Sequence, residues 1–354
     1  MIFFVVKKYH DYTIGNFLQS WGRDLIGKVA ILSYEDCAYS TRLHQGTYVF
    51  TDFERMSDAQ LELARHVAPQ IEKAGCRILN RPERVLDRAA LQKKLHDEGT
   101  NDFRVYRAEE DLAGVKFPVF VRRISDHMGK MSGLIESHDE LQKELFLRKA
   151  RGENDTLVVE RIDIRSPDGM FRKYGVLRCG QELVARHLYF SQNWVQNITD
   201  IVDDEKVALE AAYMETNPHA EQIRRVFELA GTDYGRVDYG LHNGRVQVWE
   251  INTNPMMMAA PYRIEHRRLG HISKSTAKAT AAIAALDDGV TFDETDRRNW
   301  FGIEVDPHLR SRLGVRPADH ALRYVGKALG RISRMPGVKE IINTCQWARW
   351  LATR

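Results

Sequence analysis

Strand-like and helix-like patterns alternate over the first 80 residues. IFFVV at 2–6 is a short continuous apolar run, residues 14–25 carry helical spacing, and KVAILSY and TYVFTDF again read as strands. Ser57 followed by Gln60 forms a capping-box signature, Leu61, Ala64, Ala68 and Ile71 keep one helical face, and Gly75 stands where that helix would end. Pro69 predicts a kink or an earlier stop. CRILN then reads as a strand, and Asp87 to His96 as a short helix closed by Gly99. This rhythm predicts a small α/β layer.

A second unit follows. FPVFVRR at 117–123 is strand-like and leads into a loop carrying Gly129 and Gly133, before Ser137 and Glu140 cap another helix. TLVVERIDI at 156–164 and the pair FRKYGVLR and ELVARHLYF, joined by a CGQ turn, predict antiparallel strands. A helical stretch from Asp203 to Ala230 is interrupted at Asn217 and Pro218. Beyond residue 300, Leu322, Val325, Leu329 and Ile332 and then Trp347, Trp350 and Leu351 predict two amphipathic helices.

The stretch DYGRVDYGLHNGRVQVWEINTN at 233–254 predicts a hairpin around HNG. With a three-residue loop, Leu241 pairs with Arg245, and Arg236, Asp238, Glu250 and Asn252 share one face, with Asp238 and Glu250 as diagonal neighbours. Val237, Tyr239, Trp249 and Ile251 then face the core. A two-residue loop would put the carboxylates on opposite faces. Two carboxylates and an amide oxygen suit magnesium, which takes oxygen ligands and completes its shell with water and phosphate. The same pattern also fits a surface hairpin whose polar face meets water.

Composition changes this picture little. Charged residues make up 29% and apolar residues 43% of 354 residues, as in ordinary globular chains of two or three domains. The four cysteines lie singly, without the spacing of zinc or dithiol sites, and no apolar run is long enough for a signal peptide core or a membrane span, so a cytoplasmic protein is expected. Net charge is +3, but residues 300–354 carry +6. That tail fits either an anionic partner or a solvated helix face; nucleic acid is not expected as a partner.

GRVDY followed by WEINTNP resembles the metal-binding hairpin of the ATP-grasp superfamily, which includes D-alanyl-D-alanine ligases, glutathione synthetases and ribosomal-protein glutamate ligases. The resemblance spans roughly residues 80–260. It implies an α/β (α+β) ATP-grasp fold with a preceding Rossmann-like α/β domain at 1–82, a lid subdomain at 83–158, a metal- and ATP-binding subdomain at 159–270 and a helical extension at 271–354.

The resemblance also implies ligands: Asp238, Glu250 and Asn252 for two Mg2+ ions, with Mn2+ as an acceptable substitute, and ATP as the nucleotide. Arg122 stands where the family usually has a phosphate-binding lysine, Gly129 and Gly133 resemble the loop that closes over phosphates, and Arg88 and Arg186 match further phosphate contacts. VVERID is similar to the adenine-binding strand, which implies Glu160 at the adenine amino group and the backbone of Arg161 and Asp163 beside the ring. Lys173 stands where a ribose-binding acid is usual, leaving Asp168 as its substitute. Arg236 corresponds to the arginine that stabilises the oxyanion of acyl transfer.

The implied activity is ligation of a small-molecule or peptide carboxylate, activated as acylphosphate, to an amine, with a homodimer left open. A hydroxyl kinase and a nucleotide-binding scaffold are the alternatives. His127 and His187 fit either substrate and proton handling or a structural role, and the MMM run at 256–258 fits either an acceptor pocket or core packing.

Overall fold

The chain is described as a computed structural model covering residues 1–124, 132–195, 199, 201–291 and 296–313. Its first unit contains β1 (Ile2–Val6), α1 (Tyr12–Gln19), β2 (Val29–Ser33), α2 (Tyr34–Tyr39), β3 (Arg42–His44), β4 (Thr47–Phe50), α3 (Asp58–Lys73) and β5 (Arg77–Leu79). Four of these strands form a parallel sheet in the order β2-β1-β4-β5. A parallel sheet needs cover on both faces, which explains the unbroken apolar run of β1. Phe3 and Val5 enter a core with Tyr48, Phe50, Leu63 and Val67, while Ile2, Phe4 and Val6 enter a second core with Ile14, Phe17 and Val49.

The Ser57 capping box forms as expected, its hydroxyl accepting from the Gln60 amide and the Gln60 side chain accepting from the Ser57 amide. Pro69 does not stop α3, which continues to Lys73. Burial of Leu63, Val67, Ala68 and Ile71 against the sheet carries the helix through the position.

Next come α4 (Arg88–Asp97), β6 (Val105–Arg107), β7 (Val119–Arg123), α5 (His138–Ala150) and β8 (Thr156–Glu160), whose strands form an antiparallel sheet in the order β6-β8-β7. The third group is β9 (Phe171–Cys179), β10 (Glu182–Ser191), α6 (Asp204–Thr216), α7 (Ala220–Leu229), β11 (Tyr234–His242), β12 (Arg245–Asn252) and α8 (Leu269–Ala284). It builds an antiparallel sheet in the order β10-β9-β11-β12. Asn217, left-handed at φ 43°, separates α6 from α7 where the sequence predicts a break. Tyr213, Met214, Ile223, Val226 and Phe227 of these helices cover Val176, Phe190, Val237 and Val248 of the sheet. β13 (Trp300–Gly302) returns to pair with β3, and α9 (Pro307–Arg312) follows. The two predicted tail helices lie outside the described residues.

The architecture is the expected α/β (α+β) one, a parallel layer followed by two antiparallel sheets. Asn80, fully buried at φ 57°, joins the layers: its amide nitrogen donates to the Phe50 and Tyr234 carbonyls, and its oxygen accepts from the Asp233 and Tyr234 amides. Among the described residues no helix is long and apolar enough to cross a membrane.

Candidate active site

The β11–β12 hairpin turns through two residues rather than the three expected. His242 pairs with Arg245, and Asn243 (φ 50°) and Gly244 (φ 76°) occupy the left-handed positions that an Asn-Gly hairpin turn requires. That register alone would separate the carboxylates. A β-bulge corrects it: Tyr239 pairs with Val248, yet Asp238 pairs with Glu250, so Trp249 is the extra residue on β12. Asp238 and Glu250 are therefore directly opposite rather than diagonal, and Arg236 stands opposite Asn252. Directly paired residues share a face, with Cβ atoms about 5 Å apart.

The outer edge of the bulged strand is satisfied from α4 and the segment after it. Asn101 donates to the Val248 carbonyl and accepts from the Val248 amide, and Gln92 donates to the carbonyls of Val248 and Trp249. Val237 and Tyr239 enter the core as predicted, but Trp249 packs instead against Phe103, Val105, Leu157 and Val159 of the neighbouring sheet.

Asp238 is buried and gathers positive charge. Arg236 donates to both its oxygens, at 2.7 and 3.1 Å, and the Lys173 ammonium lies 3.5 Å away. Burial works to raise its pKa, but the charges of Arg236 and Lys173 outweigh it and hold the carboxyl well below the usual range. Glu250 accepts from Arg88 at 2.6 Å and from the Asn252 amide at 3.2 Å, with Arg122 at 3.8 Å. Arg88 also donates to the Ile124 carbonyl, tying the first residue of α4 to the end of β7. Four cationic side chains from four elements thus meet two facing carboxylates.

Two carboxylates and the carboxamide of Asn252 lie together, the oxygen donors that a hard dication takes, but the carboxylates are paired with Arg236, Lys173 and Arg88, which a dication would have to displace. Among the described residues no cluster of three or more His, Cys, Asp or Glu side chains is arranged to hold a metal.

The nucleotide-binding candidates are placed less uniformly. The Glu160 carboxylate is buried and accepts from the Arg104 and Lys116 amides and the Tyr106 hydroxyl, while the Arg161 amide donates to Pro118. Asp163 is paired with Arg165 and Asp168 with Arg172, each pairing holding the carboxyl at about 2. Lys173 belongs to the Asp238 cluster. Arg186 is the extra residue of a second bulge, between Ala185 and His187; it is buried and donates to Ser275, Thr276 and the Met257 carbonyl. Gly133 lies in the segment returning beside β7, whereas Gly129 and His127 lie outside the described residues.

His187 is buried, and burial pushes its pKa down to about 3, so the imidazole is neutral. Of the three methionines, Met257 is buried with its sulfur accepting from Tyr234, and Met256 is 46% exposed with its carbonyl 3.4 Å from Arg236. The run therefore splits between packing and the site.

Sequence reasoning missed a set of groups from the first unit. Thr253 donates to the buried Glu54 carboxylate, and Asn254 bonds Asp52, Thr13 and the His10 carbonyl. Asp52 and Glu54 follow β4, at the carboxyl edge of a parallel sheet, where ligand crevices of α/β layers lie; that position was the available signal. Lys173 was within reach as well, since Gly175 pairs with Asp238 and a residue two positions away shares its face.

No family model and no curated protein matches the chain. Among solved structures, the D-alanine–D-alanine ligase of Bacillus anthracis complexed with ATP is 16% identical, with a TM-score of 0.42 over 79% of this chain and 98% of that one. A RimK domain ATP-grasp protein of Sphaerobacter thermophilus is 14% identical, with a TM-score of 0.47 over 81% and 99%. The D-alanine–D-alanine ligase of Coxiella burnetii is 13% identical, with a TM-score of 0.44 over 80% and 97%. These similar structures are thus D-alanine–D-alanine ligases and one RimK domain ATP-grasp protein.

Proposed function

We propose that this chain is an ATP-dependent ligase that activates a substrate carboxylate and joins it to an amine. The observation carrying this reading is the Arg236, Asp238 and Glu250 constellation, in which one arginine shares a face with two opposed carboxylates while Arg88, Arg122 and Lys173 converge on the same point. Such a cluster offers positive charge to an incoming polyphosphate and oxygen ligands to its dication.

On this reading Asp238, Glu250 and Asn252 hold magnesium, which when bound neutralises phosphate charge. Arg88 and Arg122 bind phosphate oxygens. The substrate carboxylate attacks the γ-phosphorus, giving acylphosphate and ADP, and the amine then displaces phosphate. Arg236 donates to the oxyanion that forms at the carbonyl. No protein nucleophile is required; positioning and charge neutralisation are the work of the site. Residues 1–82 and the segment around Met256 supply the acceptor side, 83–158 the lid and 159–270 the nucleotide and metal groups.

The test is stoichiometric. With magnesium-ATP and pools of amino acids and short peptides, ADP and free phosphate are expected only when acid and amine are both present. Phosphate retained on an organic product would instead identify a kinase, and ATP binding without turnover on any pool a scaffold.

A further inference from the structure

The imidazole of His187 is 5% exposed, and its Nε2 is buried without a hydrogen-bond partner. That nitrogen lies 3.8 Å from Asp238 Oδ1. The separation is too long for a hydrogen bond, yet short enough for one ion to touch both atoms, since ligand distances to small dications are about 2.0–2.2 Å.

The ring is held there by construction. One face stacks on Tyr189, with centroids 4.1 Å apart and planes inclined by 16°. The ring also occupies space that only glycine leaves, because a Cβ on Gly175 would come within 2.2 Å of Cε1 and 2.5 Å of Nε2. Gly175 is itself the partner of Asp238 across β9 and β11, and of His187 across β9 and β10. The bulge at Arg186 brings His187 into that register. A buried polar nitrogen without a partner is costly. A cation between it and Asp238 removes that cost.

We infer that His187 Nε2 is an additional ligand of the Asp238 site and tunes it toward a transition dication such as Mn2+. Imidazole favours ions of that class, whereas magnesium prefers an all-oxygen shell. The inference rests on the metal reading proposed above, and it adds a nitrogen to an oxygen donor set.

The test is pulsed electron paramagnetic resonance of the full chain with Mn2+ and ADP. Directly bound histidine nitrogen should give a 14N modulation that is replaced by the 15N pattern in protein labelled with 15N-histidine and is lost in His187→Leu. Titration should show Mn2+ affinity falling by about 10-fold in His187→Leu with Mg2+ affinity changing less. The wild-type spectrum needs no variant, so misfolding of His187→Leu leaves the inference testable. Glu250→Gln separates the two ideas. If it removes Mn2+ binding but wild-type Mn2+ shows no histidine nitrogen, the His187 assignment is overturned and the metal site stands. If Mn2+ binds equally well to wild type and Glu250→Gln, the metal site itself is overturned.

Discussion

Asp238 is buried within reach of two cationic side chains, Arg236 and Lys173, so its ionised form is favoured by neighbours from two strands. Arg236 belongs to this cluster through two hydrogen bonds and a third, longer one to the Met256 carbonyl, and on the reading proposed above one of its remaining N–H groups serves a forming oxyanion. Arg236→Ala is therefore expected to lower kcat about 10²–10³-fold with a small change in the KM for ATP. Glu250→Gln should lower kcat and weaken magnesium-dependent nucleotide binding together. Steady-state kinetics with magnesium as a varied ligand distinguishes the two patterns, and equal losses in both variants would overturn the division of labour. The meeting of Arg236, Asp238, Glu250 and Asn252 on one face was legible because they lie within one hairpin. Glu160, Asp163 and Asp168 were harder to read, since each carboxylate is committed to neighbours that residue type does not announce.

Among elements, α6 and α8 are joined through Glu210, a buried carboxylate that accepts from Arg268 at the start of α8 and bonds His271 on it. Burial pushes its pKa up, but the Arg268 and His271 bonds prevail and bring it down to about 2. A depressed carboxylate pKa stabilises the fold above the unfolded value near pH 4.5, and that stability is lost as pH falls toward 2. The contribution is on the order of 3 kcal/mol. Glu210→Gln should lower stability at pH 7 and flatten its slope between pH 4.5 and 2, as read by denaturant melts across that range. Periodicity located most strands and helices, because burial on one face leaves a period in the chain. It could not locate the bulge at Trp249, whose backbone is satisfied by Gln92 and Asn101, about 150 residues earlier in the sequence.

Across the whole molecule, the parallel layer and the antiparallel sheet meet on Asn80, whose side chain serves four backbone groups from β4, β11 and the residue before it. Asn80→Ala leaves these groups without their partner and should cost about 3 kcal/mol. Calorimetry is expected to show one transition for the wild type and a broadened or split one for Asn80→Ala as the layers lose their coupling; identical traces would place the coupling elsewhere. The α/β rhythm made the layers readable from sequence, but not their junction, which depends on one asparagine holding a left-handed backbone conformation.

The bulge at Trp249 has an optical consequence. Shortening β12 by that residue would leave Val248 and Glu250 adjacent with the same cross-strand pairs, so bulging the residue out restores the carboxylate pairing but does not require an indole there. What the added residue does is carry an indole out of the hairpin to Phe103, 5.6 Å between centroids, and into the core beneath β6 and β8. The ring lies across the seam between two sheets, where its emission depends on how closely they meet. A chain keeping Trp249 alone among its six tryptophans would carry a built-in fluorescent gauge of that seam, readable as nucleotide is added.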